Sequence, residues 1–348
     1  MRKHLLTLLF LIPFLAGCSF SAPPSAGSIW KSTDGGKTWA VKNKKTETVD
    51  FSQVDVLSLA VNPFDSKKVY AGTINNGIIK SEDGGETWSA TSFTSKKVYG
   101  LEINPADGKI IYASGVWNEQ GKIFKSSDGG ENWAEIYASP ASGPLVISLT
   151  IDQKNPNIIF ASTSDNQLIK SEDGGNSWKN ILNGNSPILK VAIDRSDDNL
   201  IYFTAGSQGV FRSRDGGKNF ENISEIIRKS FAKSGEFFLA VTDPANSGWI
   251  YLTGRAGIIL SQDEGDTWKE IRSISPADKY PVRALAINPA NSNEIIYGAA
   301  QAVYKSVDGG NNWATSQFDA AKIISILRYD PSNPSAVYAG FGKLPDVR

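Results

Sequence analysis

The feature that most constrains this chain is an acidic turn written seven times. Ser81-Glu82-Asp83-Gly84-Gly85-Glu86-Thr87-Trp88 has counterparts starting at Ser32, Ser126, Ser171, Ser213, Ser261 and Ser306. Each carries an aspartate two residues on, giving the set Asp34, Asp83, Asp128, Asp173, Asp215, Asp263 and Asp308. Successive serines are 49, 45, 45, 42, 48 and 45 residues apart. A near-constant period of this size marks a chain of supersecondary units, none of which can bury its apolar surface alone. A length of 348 residues would otherwise suggest two or three domains, and the repeat overrides that division.

Each unit opens with an apolar run that alternates large and small residues, as in Val56-Leu57-Ser58-Leu59-Ala60-Val61. The period of two predicts a strand covered on both faces. A turn such as Asn62-Pro63, Asn104-Pro105, Asn288-Pro289 or Asp330-Pro331 follows, and proline there presets the turn and cannot continue the ladder. A second strand reads Val69-Tyr70-Ala71-Gly72 or Ile111-Tyr112-Ala113, and a third Gly77-Ile78-Ile79-Lys80 or Gly209-Val210-Phe211-Arg212. The acidic turn then leads into a fourth strand carrying tryptophan, with Phe220 replacing it once. The chain enters mid-unit at Ser28-Ile29-Trp30-Lys31 and leaves mid-unit after Val337-Tyr338-Ala339-Gly340, and the two fragments add up to one unit. The expectation is an all-β ring over 28–348: a seven-bladed β-propeller of four-stranded antiparallel blades, its last blade closed by both termini.

The start of the chain reads differently. Arg2, Lys3 and His4 precede an apolar run from Leu5 to Leu15 that is too short to cross a bilayer, which is the pattern of a secretory signal over 1–17. The run ends in Leu15-Ala16-Gly17-Cys18, which resembles the lipobox of bacterial lipoproteins. That resemblance implies cleavage before Cys18 and acylation of Cys18, with more than one chain for stable anchorage. Residues 18–27, rich in serine, proline and alanine, read as a flexible tether. The expected location is extracytoplasmic, lipid-anchored to a bacterial membrane on the periplasmic side or the cell surface.

Composition removes several functions. Lys+Arg and Asp+Glu are both 36, so no net field argues for nucleic acid as a partner. His4 and Cys18 are the single histidine and cysteine, and both precede the repeats. The repeats therefore carry no imidazole base, no Ser-His-Asp triad and no histidine or cysteine metal ligand. Neither a cofactor nor a metal is expected, and the chain is expected to be a monomer.

The repeated Ser-x-Asp-x-Gly-x-Thr-Trp wording resembles the Asp-box (BNR) family, whose members are β-propellers. Two types of relative, the sortilin-type receptor that binds peptides and the lipid-anchored photosystem II assembly factor, imply a binding or scaffold role. Sialidases share the box but need an arginine triad and an Arg-Ile-Pro motif, and no Arg-Ile-Pro occurs here. Xyloglucanase-type enzymes use two such propellers, with one catalytic aspartate in each. A glycoside hydrolase acting on extracellular glycans is thus the alternative, with Glu119 and Asp165 the one carboxylate pair to nominate. The aspartates of the boxes are expected to be structural, accepting hydrogen bonds from the amides of their own turns.

A site is expected on the opposite face, where the second-to-third-strand loops gather round the mouth. These loops bring Asn75 and Asn76; Trp117, Asn118 and Glu119; Asp165 and Asn166; Gln208; Arg255; and Gln301. An amide-rich rim with one tryptophan suits a peptide backbone or a carbohydrate. Glu102, Lys190 and Arg328 stand where the first strands usually hold small residues, either lining the central channel or forming a structural ion network. The longest departure from the repeat runs from Glu221 to Gly235, where Ile223, Ile226, Ile227 and Phe231 recur at helical spacing.

Overall fold

A computed structural model describes residues 28–43, 51, 53–140, 143–231 and 237–343. The signal sequence, Cys18 and the tether lie outside these residues, as do 232–235 of the insert. The alternating runs form seven separate four-stranded antiparallel sheets, each with its strands in chain order from the axis outward, apart from the seventh. We number the blades from the first complete unit, so blade 1 comprises Val56–Val61, Val69–Thr73, Ile78–Ser81 and Ser89–Ala90. The inner strands of blades 2 to 7 are Lys96–Ile103, Val146–Ile151, Lys190–Ile193, Phe237–Thr242, Ala284–Asn288 and Ile323–Tyr329. In blade 7, Ile323–Tyr329 and Val337–Gly342 are completed by Ile29–Ser32 and Ala40–Val41 from the other end of the described chain.

The apolar core is divided into seven clusters, and each one joins two neighbouring blades. One gathers Tyr70 and Ile78 of blade 1 with Val98, Leu101, Ile111 and Phe124 of blade 2. The other six occupy the remaining junctions in the same way. This is why no unit is stable alone: its two apolar faces are satisfied by different neighbours. Gly72 shows how closely the sheets approach. A Cβ there would lie 2.2 Å from Ser58 Oγ and 2.6 Å from Val98 Cγ1 of the next blade.

A second set of contacts runs round the ring on the acidic-turn face. The residue just before the serine of each turn is a lysine or arginine in six of the seven copies. Its side chain crosses to the turn of the next blade. Lys31 donates to Gly84 O at 2.6 Å, Lys125 to Gly174 O at 3.0 Å, Lys170 to Gly216 O at 3.1 Å and Lys305 to Gly35 O at 2.6 Å. Lys80 reaches Glu131 of the next blade instead, and Tyr70 donates to Gly129 O at 2.9 Å. Tyr338 and Tyr112 add second donors to the carbonyls of Gly84 and Gly174. In blade 4 the cation is Arg212, 2% exposed, which donates to Glu264 O at 2.6 Å and pairs with Asp266 of blade 5 and Glu221 of its own blade. Blade 5 has Leu260 at this position, so the junction to blade 6 has no such cation.

Helical spacing after Phe220 is realised as the helix Ser224–Ser230, which buries Ile227 and sets Ile226 and Phe231 against the core between blades 4 and 5. No helix among the described residues is long and apolar enough to cross a membrane.

Candidate functional site

The acidic turns spend their polar groups on themselves. In the third copy after blade 1 begins, Ser171 Oγ donates to Asp173 Oδ1 at 2.9 Å and accepts from the Gly175 amide at 2.8 Å. The Ser177 amide donates to Asp173 Oδ1 at 2.9 Å, and Ser177 Oγ to Oδ2 at 2.6 Å. Trp178 closes over the turn and donates from Nε1 to Gly175 O at 3.2 Å. The Ser177 hydroxyl and amide hold the Asp173 carboxyl down at about 2, and the equivalent donors from Asn132, Asn219 and Asn312 hold Asp128, Asp215 and Asp308 at about 2. Asp83 and Asp263 are also lowered, although burial pushes them up. Both oxygens of these carboxylates face donors of their own turn. Among the described residues no three acidic, histidine or cysteine side chains gather to hold a metal ion. The glycine pair of each box lies at positive φ, and Glu264, which replaces the first glycine of its copy, takes φ 61° in its place.

The ten expected mouth residues all fall at the ends of second and third strands, away from the acidic turns. None of them lines the central channel. In blade 2 the connection is tighter than the sequence suggested. The second strand extends to Trp117, which pairs directly with Gln120. Asn118 and Glu119, at φ 50° and 63°, form the two-residue turn between them, in the left-handed geometry that suits a tight hairpin. Trp117 is 39% exposed and leans one edge on Phe124, with ring centroids 6.2 Å apart. Asp165 is occupied locally, accepting from Thr163 Oγ1 and, at 2.9 Å, from Gln167 Nε2, while Asn166 takes φ 72°. Asn75 and Asn76 sit exposed in a turn where the Asn76 amide donates to Thr73 Oγ1 at 2.9 Å. Gln208 ends a short 3-10 turn, Arg255 is exposed in the tight turn of blade 5, and Gln301 accepts through its backbone carbonyl from the Phe318 amide. Glu119 and Asp165 therefore stand on the tips of two adjacent hairpins and not in a shared cleft.

The inner strands enclose a central channel of about 510 Å³. Leu57, Tyr99, Ile147 and Leu189 form an apolar collar at its mouth end, and burial pushes the Tyr99 hydroxyl up. Below them lie Glu102, Lys190 and Arg328, so these charges line the channel. Arg328 Nη2 faces Glu102 Oε1 at 3.9 Å and Arg328 Nε donates to Leu59 O at 3.2 Å. Arg283 packs over the Phe238 ring at 4.8 Å. Sequence reasoning missed Arg283 and Arg195 as channel residues, although they flank inner strands, Arg283 just before one and Arg195 in the turn after another, at positions that hold uncharged residues in most other units.

Known proteins share this architecture. Residues 208–339 match the family model described as Sortilin-Vps10, sortilin, neurotensin receptor 3. The match takes in blades 5 and 6 with parts of blades 4 and 7. No curated protein matches the chain in sequence. Among solved structures, the GH74 xyloglucanase from Xanthomonas campestris superposes with TM-score 0.68 at 17% identity, covering 83% of this chain and 51% of its own. YCF48 bound to D1 peptide superposes with TM-score 0.61 at 14% identity, over 83% of this chain and 93% of its own. YCF48 from Cyanidioschyzon merolae gives 0.60 at 16% identity, over 83% and 95%. These likenesses establish the seven-bladed fold. The chain spans about half the length of the xyloglucanase and nearly all of YCF48.

Proposed function

We propose that this protein is a non-catalytic binding or scaffold protein, anchored through lipid at Cys18 outside the cytoplasm, that holds a peptide segment of an envelope or extracellular partner at the propeller mouth. The observation that carries this reading is the hairpin tip of blade 2, where an exposed tryptophan stands beside two polar residues on a rigid two-residue turn. An aromatic face held rigidly next to amide and carboxylate groups gives a peptide both an apolar contact and hydrogen-bond partners at little entropic cost. The extent of the likeness supports it too: the single ring matches nearly the whole of YCF48, a protein whose structure is described as bound to a peptide.

A glycoside hydrolase is the second reading, favoured by the likeness to the GH74 enzymes. It meets a chemical objection. Glycosidases need two carboxylates across one cleft, and Glu102 is the one carboxylate among the described residues that line the channel.

Peptide and glycan arrays probed with the full chain test both. A retained peptide whose affinity falls roughly 10-fold or more in Trp117→Ala, the scale of an interface hot spot, supports the proposal. Turnover of any polysaccharide or sialoside overturns it.

A further inference from the structure

Among the described residues the channel is lined by more cations than carboxylates. Lys190, Arg195, Arg283 and Arg328 line it together with Glu102, in a chain whose charges cancel overall. Arg328 has Glu102 and the Leu59 carbonyl as partners, and Arg283 has the Phe238 ring. Lys190 differs from both. Among the described residues its ammonium makes no hydrogen bond and no ion pair, and its nearest charged influences are Glu102 and Arg328. It is half-buried and lines the channel.

Nor does the fold require a cation there. Lys190 pairs with Thr204, and the residues at the same register of the other six inner strands are Ser58, Gly100, Ser148, Leu239, Ala284 and Ile326. All six are uncharged. Burial drives the Lys190 ammonium down, with Glu102 pulling it up and Arg328 pushing it further down. An ammonium held in such a place without a partner costs free energy that a bound anion would return.

We propose that the waist of the central channel is a binding site for an oxyanion, a carboxylate or phosphate group, held by Lys190 with Arg328. The site is separate from the hairpin tip at Trp117, so either can fail without the other. Bound anion stabilises the charged lysine, so binding takes up protons where the free lysine is partly neutral. Affinity is therefore highest at low pH and falls as pH rises through the range where Lys190 loses its proton. The other titratable or charged groups lining the channel with it are Glu102, Arg283, Arg195, Arg328, Tyr99 and Tyr329, of which Glu102 and Arg328 act on it most.

The test is calorimetric titration of the full chain, in mild detergent at constant chloride, with inorganic phosphate. The wild type takes up phosphate saturably, one per chain. Lys190→Met weakens this at least about 10-fold, as loss of a charge-assisted hydrogen bond implies. Lys190→Arg retains binding but loses the lysine's share of the pH dependence, leaving the titration of phosphate itself, since arginine does not titrate in this range. In phosphate-free buffer Lys190→Met melts at or above the wild-type temperature, because an unpaired charge has been removed. Lost binding with held stability is an outcome that a structural lysine would not give. A second arm uses an acidic peptide acetylated and amidated at its ends. Displacement of that peptide by phosphate assigns the anion to a partner's side chain, and binding of phosphate alone assigns it to a free anion. No saturable phosphate uptake by the wild type, or undiminished uptake by Lys190→Met, overturns the proposal.

Discussion

Replacing Arg212 by methionine should loosen the ring at one junction by a calculable amount. Arg212 is 2% exposed and joins blades 4 and 5 through Glu264 O at 2.6 Å and Asp266 Oδ1 at 2.7 Å, while Nη2 lies 2.7 Å from Glu221 Oε1. Removing one partner of a buried pair costs about 3–5 kcal/mol where the other charge stays buried. Here it does not: Glu221 and Asp266 are 55% and 52% exposed and can rehydrate, so their share is small. The Glu264 carbonyl loses a charged donor, worth roughly 1.5–3 kcal/mol, and methionine restores part of the packing over Tyr202. We expect a net loss of about 2 kcal/mol, or ~3 °C in Tm for a ring of this size. The loss should also depend on pH. Arg212 and then Arg214 hold the Asp266 carboxyl below its ordinary value, with burial opposing. A depressed carboxyl stabilises fully above the usual carboxylate range and ceases to do so as pH falls through its folded value. The gap between wild type and variant should therefore narrow below about pH 4 without closing, since the carbonyl bond does not titrate. Urea melts at pH 7 and pH 3 measure both quantities. A gap under about 0.5 kcal/mol at pH 7, or one that is unchanged at pH 3, would refute the reasoning.

Three further outcomes are expected. Asp173→Ala lowers the melting temperature by a few degrees and leaves partner affinity per folded molecule unchanged; lost binding at unchanged melting would give the turn a recognition role instead. With Asp128, Asp173, Asp215 and Asp308 held at about 2, their stabilisation is present above about pH 4 and drains away toward pH 2. A urea midpoint that stays flat over that interval would contradict the role assigned to these carboxylates. Cys18→Ala abolishes incorporation of labelled palmitate and moves the protein to the soluble fraction, whereas unchanged labelling would place the lipid elsewhere or nowhere.

The strands and their grouping were legible because they rest on local rules: alternation of period two, proline after the first strand, and a glycine pair at positive φ. The latches were not, although their trace is in the sequence. Lys31, Lys80, Lys125, Lys170, Arg212 and Lys305 each stand one residue before a repeated serine, which reads as a surface charge at a strand end. The acceptor each one meets, a carbonyl for all but Lys80, belongs to the following unit, 46–53 residues away except for Lys305, so no local rule connects donor to acceptor. Trp117 was visible as an aromatic outside the clamp pattern. Its rigidity was not, because Asn-Glu is a weak signal for a two-residue turn compared with Asn-Gly. Glu102, Lys190 and Arg328 stood out as charges among small residues. That Arg328 is bound loosely to Glu102, while Lys190 has no hydrogen-bond or ion-pair partner among the described residues, could be learned only from the ring's geometry.

The pairing of Ile29 with Gly340 and of Ser32 with Val337 sets the face from which the chain enters the ring. Val337 follows the turn at Asp330-Pro331, on the same face as the acidic turns, so Ile29 lies at the mouth end of its strand. The chain thus joins the ring from the mouth side. With Cys18 acylated, the ten residues from there to Ser28 reach at most about 35 Å. Anchored in that way, the ring would be tethered by its mouth face, and the rim would stay within reach of partners lying on, or emerging from, the same bilayer.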